Sequence, residues 1–183
     1  MKKTMYIIAG PNGSGKTTLA KELITDENAI FLNADEIAAA INDKVGIQSG
    51  KIIINQLNDI LKSGQSFVLE STISGKYHTQ AIKQAKQLKY DIVLVYVFLE
   101  SVEQNLARIK MRTLLGGHNV PKQDVIRRYK RSIENFWDLT NIIPNWKLYY
   151  NGGTKFQLVA QHDSKKLEIL EPQIYNKIYL GKK

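Results

Sequence analysis

Short apolar runs alternate with stretches of helical periodicity along most of the chain. The apolar runs predict strands at residues 6–9, 30–33, 67–69 and 92–99. The amphipathic stretches between them predict helices at residues 16–24, 36–41, 49–61, 77–88 and 101–113, with Ser49 and Ser101 as N-caps and Gly64 closing the third helix. Strands that alternate with helices indicate a mostly parallel sheet in a three-layer αβα domain, which we expect to span residues 1–183.

The last third of the chain changes pattern. Gly116-Gly117 ends a helix, and Pro121 is placed to start the next, which we expect to reach about Leu139. Apolar runs at 146–150 and 155–160 flank Asn151-Gly152-Gly153, which predicts a β-hairpin. The final residues are amphipathic and predict a terminal helix.

A phosphate-binding loop follows the first predicted strand and opens the first helix. Its residues, with the threonine after them, are Gly10, Pro11, Asn12, Gly13, Ser14, Gly15, Lys16, Thr17 and Thr18. They fit the pattern G-x-x-x-x-G-K-[ST], in which the backbone and the helix N-terminus surround phosphates. We expect ATP with Mg²⁺ here, with Lys16 on the β- and γ-phosphates and Thr17 on the metal.

Two large classes of P-loop protein lack their markers here. The chain has no Asn-Lys-x-Asp segment of a guanine reader, and Leu115-Gly116-Gly117-His118 only echoes the Leu-Ser-Gly-Gly-Gln segment of transporter ATPases. The class that remains is the small-molecule kinases.

Asp35 follows the second predicted strand at the edge of the sheet where ligands bind. A carboxylate there would accept the proton of an attacking hydroxyl. An aspartate before a short helix is also an N-cap, and one residue can do both.

All five arginines of the chain lie between positions 108 and 131. Arg108 and Arg112 are four apart and share one helix face, opposite the apolar positions Val102, Leu106 and Ile109. We expect residues 108–131 to form a basic lid over the phosphates, joined at the glycine pair. Which of Arg108, Arg112, Arg127, Arg128 and His118 contact phosphate stays open, as does the alternative of a solvated basic face.

Glu70-Ser71-Thr72 ends the third strand at the same edge. Glu70 would hold Mg²⁺ through water or bind substrate hydroxyls, or else pair structurally with a lysine. His118, beside the glycines, is a second candidate near the phosphates, with a surface position as the alternative.

Composition and charge exclude some kinds of chemistry and favour some kinds of ligand. The chain has no cysteine, which excludes disulfides and thiolate chemistry, and carries a net charge of +9. Basic residues concentrate in 101–150, which suits a polyphosphate ligand, a nucleic acid or simple solubility. The apolar run at the N-terminus is too short for a signal peptide, and none approaches the roughly 20 residues of a bilayer span. We expect a cytoplasmic protein without membrane contact.

Five segments together resemble the zeta-toxin family of P-loop kinases, especially its short stand-alone bacterial members. They lie at 9–18, 33–37, 70–72, 116–121 and 127–132, and the more specific ones read Gly-Gly-His-Asn-Val-Pro and Arg-Arg-Tyr-Lys-Arg-Ser.

The resemblance implies ATP-dependent phosphorylation of a sugar-nucleotide hydroxyl, with UDP-N-acetylglucosamine as the acceptor of the characterised toxins. It makes Asp35 the base, Lys16 the P-loop lysine, and Glu70 and Thr72 contacts to the sugar nucleotide. Among the lid residues it places Arg112 or Arg108 in the first position and His118 in the second. A further substrate carboxylate of the family has no counterpart at residues 54–56. The resemblance also implies a protein antitoxin as partner, with nucleic acid less favoured as a ligand.

Overall fold

The computed structural model describes residues 3–24, 29–33, Ile37, 47–117 and 119–180. The predicted helix at 36–41, Asp35 and His118 lie outside these residues, apart from Ile37, which is helical and packs against the core. The strands are β1 (Thr4–Ala9), β2 (Ile30–Asn33), β3 (Phe67–Ser71), β4 (Asp91–Phe98), β5 (Asn145–Tyr150), β6 (Gln157–Asp163) and β7 (Leu167–Ile169). The helices are α1 (Lys16–Leu23), α2 (Ile47–Ser63), α3 (Tyr77–Gln87), α4 (Val102–Leu114), α5 (Lys122–Thr140) and α6 (Pro172–Leu180).

The strands form one seven-stranded sheet in the order β2-β3-β1-β4-β5-β6-β7. The first five strands in this order are parallel, while β6 and β7 are antiparallel to their neighbours. The predicted mostly parallel αβα fold with a hairpin after β5 is therefore confirmed. Because β1, β2 and β3 are parallel, the segments that follow them all begin at one edge of the sheet.

Side chains of the sheet alternate between two apolar layers. Met5, Ile7 and Ala9 of β1 face one layer, whose helical members come from α2, α3, α5 and α6. Ile8 faces the other layer, where it packs with Leu19 of α1. Helices on both faces explain why β1 and β4 are almost uniformly apolar rather than alternating.

Helices α4 and α5, together with their connection, form what we call the lid. It has a small apolar cluster of its own, in which Ile109 packs with Val120 and Val125. Val102 and Leu106 pack against this cluster, as expected for the apolar stripe of α4. Ser101 caps α4, since its Oγ accepts a hydrogen bond from the backbone N–H of Gln104 at 3.3 Å.

Some element boundaries were predicted wrongly. Helix α2 begins at Ile47, so Ser49 lies within it rather than capping it, whereas Gly64 ends it as expected with a φ of 73°. Strand β6 begins at Gln157 and not at Lys155. Strand β7 was not predicted, because its three residues, all exposed, are too short a run for the alternation Leu-Glu-Ile to be recognised as a strand pattern.

An aromatic cluster fills the core beneath β4 and β5. Phe136 of α5 is fully buried and stacks on Tyr96, with ring centroids 4.4 Å apart. It also contacts the rings of Trp137 and Trp146. The hydroxyl of Tyr96 donates a 3.0 Å hydrogen bond to Ser132 Oγ, so α5 is joined to the sheet by both ring packing and a buried polar contact.

We predict that Phe136→Ala lowers the free energy of unfolding by about 3–5 kcal/mol, because it removes a buried ring and leaves a cavity. Urea denaturation followed by far-UV circular dichroism measures this loss. Leu114→Ala, at a residue 71% exposed, is the control and should change stability by no more than about 0.5 kcal/mol. Equal losses in the two variants would contradict the placement of Phe136 in the core.

Candidate functional site

The chain after β1 turns sharply and packs tightly against its neighbours. Gly10, Gly13 and Gly15 have φ values of 149°, 81° and 98°, which side-chain-bearing residues rarely adopt. A Cβ at Gly10 would lie 2.1 Å from the carbonyl oxygen of Val97. The glycines of the motif are therefore required both by conformation and by space.

The loop opens onto a cleft of about 1040 Å³ at the carboxyl edge of the sheet. This volume is at the upper end of the range for small-molecule sites. The cleft is lined by Asn12, Gly13, Gly15, Lys16, Thr17, Thr18, Glu22, Asn33, Glu70, Arg108, Ile109, Arg112, Val120, Asn151, Thr154, Lys155 and Phe156. Gly10, Pro11 and Ser14 are buried and do not line it.

The P-loop lysine lies along the floor of this cleft. Lys16 is buried, and its Nζ donates to the carbonyl oxygen of Pro11 at 3.3 Å. The backbone N–H of Ser14 donates to the same carbonyl at 3.2 Å, which closes the turn of the loop. The ammonium group thus lies on the inner side of the loop, where the sequence motif predicts it.

Thr17 and Glu70 form a hydroxyl–carboxylate pair. The hydroxyl of Thr17, in the first turn of α1, donates to Glu70 Oε1 at 2.9 Å. Glu70 is 3% exposed and lies opposite Ile8 of β1 and Asn33 of β2 in the sheet register. The hydroxyl proton of Thr17 is therefore directed at Glu70, and the lone pairs of the Thr17 oxygen take no part in this bond.

The lid contributes basic residues from one face of α4. Arg108 and Arg112 both line the cleft, and Arg108 Nη2 donates to the carbonyl oxygen of Asn151 at 2.6 Å. Arg127 pairs instead with Asp124 at 2.6 Å on the exposed side of α5. Arg128 and Arg131 do not line the cleft either.

Of the other predicted residues, some line the cleft and some do not. Thr72 is buried behind Glu70, where its hydroxyl shares a 2.9 Å hydrogen bond with Ser74, and it does not line the cleft. Asn33 is the last residue of β2 and does line it. Asp35, two positions later, and His118 are not among the described residues.

Several residues of the cleft were not predicted from sequence. Asn105 of α4 donates from Nδ2 to the carbonyl oxygen of Asn12 at 2.7 Å. Asn151, after β5, donates from Nδ2 to the carbonyl oxygen of Ser14 at 2.8 Å. Thr154, Lys155 and Phe156 of the hairpin loop form one wall. The Asn-Gly-Gly signal located this loop, but nothing local in the sequence indicates that it packs against the phosphate loop.

The charge of the cleft suits a polyanion. Among the described residues, four cationic side chains and two acidic ones line it, namely Lys16, Arg108, Arg112 and Lys155 against Glu22 and Glu70. His78 at the start of α3 adds nothing to this charge. It does not line the cleft, and burial lowers its pKa from 6.5 to about 4, so it is neutral at pH 7.

Within the described residues, no helix has both the length and the apolar character needed to cross a bilayer.

Similarity to solved structures extends over the whole fold. A chain of the AvrRxo1-ORF1:ORF2 complex, crystallised with ATP, superposes with a TM-score of 0.76 at 17% identity, covering 97% of this chain and 63% of that one. A chain of the PezAT toxin–antitoxin system of Streptococcus pneumoniae gives 0.63 at 13% identity, covering 98% and 84%. A putative kinase from Chloroflexus aurantiacus gives 0.56 at 21% identity, covering 72% and 80%. At these identities the likeness is one of fold.

Two sequence relatives and one family model match most of this chain. A protein of Haemophilus influenzae whose function is uncharacterized is 35% identical over 133 residues, which cover 70% of this chain and 94% of the relative. The ClpX ATP-binding subunit of Borrelia duttonii is 25% identical over 146 residues, but the match spans only 30% of ClpX. The model of the family described as "AAA domain" matches residues 5–136, from β1 to α5.

The phosphate loop, the nucleotide-sized cleft and this match lead to one conclusion. The chain belongs to the AAA domain family and has a P-loop, kinase-like αβα fold.

Proposed function

We propose that this protein is an ATP-dependent kinase that transfers the γ-phosphate of ATP to a hydroxyl group of a small molecule. The observation that carries the proposal is the position of Arg108 and Arg112, which line the same cleft as Lys16 and the Thr17–Glu70 pair. Phosphoryl transfer depends mainly on cations placed around the transferred group. Basic groups on α1 and on α4 line this cleft, so cations would lie on two sides of the transferred phosphoryl group.

The catalytic base in this proposal is Asp35. β2 ends at Asn33, which lies beside Glu70 at the carboxyl edge of the sheet and lines the cleft. Asp35 follows Asn33 by two positions in the sequence. The place of Asn33 at the cleft supports the proposal of a carboxylate within reach of an acceptor hydroxyl that faces the γ-phosphate.

The same arrangement fits Mg²⁺. Thr17 would be a direct ligand through its hydroxyl oxygen, because its hydroxyl proton is hydrogen-bonded to Glu70. Glu70 would bind a water molecule that is coordinated to the ion. Bound Mg²⁺ would supply charge neutralisation between the β- and γ-phosphates. Glu70 then acts on the metal through Thr17, which it orients.

The acceptor we propose is a sugar nucleotide such as a UDP-N-acetyl sugar, with Glu70 and Thr72 as its contacts. The support is the zeta-toxin resemblance of the sequence, together with the fold shared with a chain of the PezAT toxin–antitoxin system. Thr72 lies behind the cleft surface in this structure, so a contact would have to follow rearrangement of the turn after β3. The same support makes a protein antitoxin the proposed partner.

Label transfer from ATP tests the proposal. The purified protein is incubated with [γ-³²P]ATP and, in turn, with UDP-N-acetyl sugars, nucleosides, other small metabolites and RNA 5′ ends. We expect labelling of a sugar nucleotide that Lys16→Ala abolishes and Asp35→Asn lowers by about 100-fold or more, the usual size of a general-base contribution. Asp59→Asn, at an exposed site on α2, is the matched control and should leave transfer unchanged.

Each other result of that panel has a definite meaning. Label on RNA ends or on another metabolite would keep the kinase and replace its acceptor. Acceptor-independent ATP hydrolysis that survives Asp35→Asn would refute the kinase, and would favour an ATPase module instead.

The metal proposal predicts a shift in Mg²⁺ requirement. Thr17→Val removes the ligand and Glu70→Gln removes the charge that orients it. Each should raise the Mg²⁺ concentration for half-maximal activity by about 10- to 100-fold. Thr113→Val is the control, since the hydroxyl of Thr113 donates to the carbonyl of Ile109 within α4 and lies outside the cleft. An unchanged Mg²⁺ requirement in both Thr17→Val and Glu70→Gln would remove Thr17 from the metal.

The lid proposal predicts a separation of kcat from ATP affinity, and it takes Arg112 and His118 as the groups that reach the transferred phosphoryl. Arg112→Ala should lower kcat by about 10- to 100-fold and change the Kd for ATP much less, because the contact strengthens as charge develops. Lys110→Ala is the control, since Lys110 lies on the same helix, two residues away and outside the cleft. It loses the same positive charge and should change neither kcat nor the Kd for ATP. If Arg112→Ala instead weakened ATP binding at unchanged kcat, Arg112 would be a ground-state contact only.

A further inference from the structure

Two asparagine side chains hold the phosphate loop from outside. Asn105 Nδ2 on α4 donates to the carbonyl oxygen of Asn12 at 2.7 Å, and Asn151 Nδ2 after β5 donates to the carbonyl oxygen of Ser14 at 2.8 Å. The partners of these bonds are 93 and 137 residues apart in sequence. Two separate parts of the chain therefore converge on alternate carbonyl groups of one short loop.

The orientation of a carbonyl group fixes the N–H of the next residue. A peptide bond is planar, and in the trans form its C=O and N–H point in opposite directions. No cis bond occurs in the described part of the chain. When Asn105 and Asn151 hold the carbonyls of Asn12 and Ser14 outward, the N–H groups of Gly13 and Gly15 are turned to the other side. Gly13 and Gly15 both line the cleft.

We infer that Asn105 and Asn151 are positioning residues that set the phosphate-binding N–H groups of Gly13 and Gly15 before a nucleotide arrives. We call the pair the amide clamp. Its ligand class is the diphosphate of a nucleoside di- or triphosphate, since that is the group which the N–H groups of a phosphate loop surround. Both asparagines act through the loop, and Asn105 does not line the cleft, whereas Asn151 also forms part of its wall.

The packing at the two glycines agrees with the clamp. A Cβ at Gly13 would lie 2.8 Å from the backbone oxygen of Asn105, and one at Gly15 would lie 2.4 Å from Asn151 Nδ2, the atom that also donates to Ser14. The two residues that bind the carbonyls thus also lie directly against the adjacent glycines.

The clamp also joins the loop to the lid. Asn105, Arg108 and Arg112 are spaced i, i+3 and i+7 and so lie along one face of α4. Asn105 is fully buried on the phosphate loop, and Arg108 binds the backbone oxygen of Asn151. The inner half of α4 is therefore joined to the loop, and Arg112 lies one turn beyond Arg108 on the same face.

Nucleotide affinities separate a positioning role from a general structural one. Asn105→Leu and Asn151→Leu keep similar volume and remove the donor. Dissociation constants for ATP, ADP and AMP are measured by competition against a fluorescent ADP, with thermal denaturation as a check of folding. Each variant should bind ATP and ADP about tenfold more weakly or worse, which corresponds to about 1.4 kcal/mol. AMP, which has no β-phosphate, should bind within about twofold of its wild-type affinity.

A matched control is Asn141→Leu, since Asn141 Nδ2 also donates to a backbone carbonyl, that of Trp137 at 3.3 Å, but at the end of α5. It should leave all three affinities unchanged. An unchanged preference for ADP over AMP in both Asn105→Leu and Asn151→Leu would overturn the clamp. So would an equal loss for all three nucleotides, which would indicate a general structural effect. If one variant does not fold, the other decides, because the two act on different peptides.

The inference rests on the proposed use of the phosphate loop for ATP, but not on the acceptor. A protein that shows these affinity changes and labels no acceptor would refute the kinase alone. A kinase whose variants keep the wild-type preference for ADP would refute the clamp alone.

Discussion

The phosphate loop is packed so closely against three other segments that no side chain fits between them. β4 approaches Gly10, α4 approaches Gly13 and the loop after β5 approaches Gly15. A chain with side chains at these positions would have to move a strand end, a helix or a hairpin away from the site. Close packing of the glycines thus brings together elements that carry the other groups of the cleft. The helix that carries the lid arginines and the hairpin wall can lie against the loop because its glycines have no Cβ atoms.

The sheet and the lid both bury apolar residues, but in very different numbers. In the sheet, apolar residues are buried on two faces, which fixes the carboxyl ends of β1, β2 and β3 at one edge. The lid has only the small cluster around Ile109, Val120 and Val125, while Met111, Leu114 and Leu115 at its outer end stay exposed. Burial of so few apolar groups stabilises the outer lid much less than the sheet is stabilised. Rigidity is therefore concentrated at the phosphate end of α4, where Asn105 is bound.

Patterns of residues that are close together in the sequence were sufficient to locate many residues of this cleft. The phosphate motif, the polar residues after β2 and β3, and the shared face of Arg108 and Arg112 all depend on spacing within one element or at one strand end. Thr17 and Glu70 were each predicted near the metal, but the hydrogen bond between them was not foreseen. Glu70 and Asn33 lie side by side because parallel strands bring their carboxyl ends to one edge whatever the loops between them do.

What the sequence could not indicate is contact between distant segments. Asn105 looks like an ordinary polar residue on an amphipathic helix, and Asn151 like a turn residue. Their importance comes from two carbonyl groups that lie far away in sequence and that need donors once buried. Strand β7 was missed for a different reason, since an exposed run of three residues is too short to predict a strand, and its pairing with β6 cannot be seen in the sequence.

The hairpin after β5 has a consequence for how the protein is made. The family match ends at residue 136, yet the wall formed by Asn151, Lys155 and Phe156 comes later in the chain. A ribosome delivers the phosphate loop before this wall. Until β5 has emerged and paired with β4, a nascent chain has its phosphate motif but lacks one side of the cleft. Ligand-linked stabilisation therefore begins only after residues 145–156 have been made, because nucleotide stabilises the state that binds it.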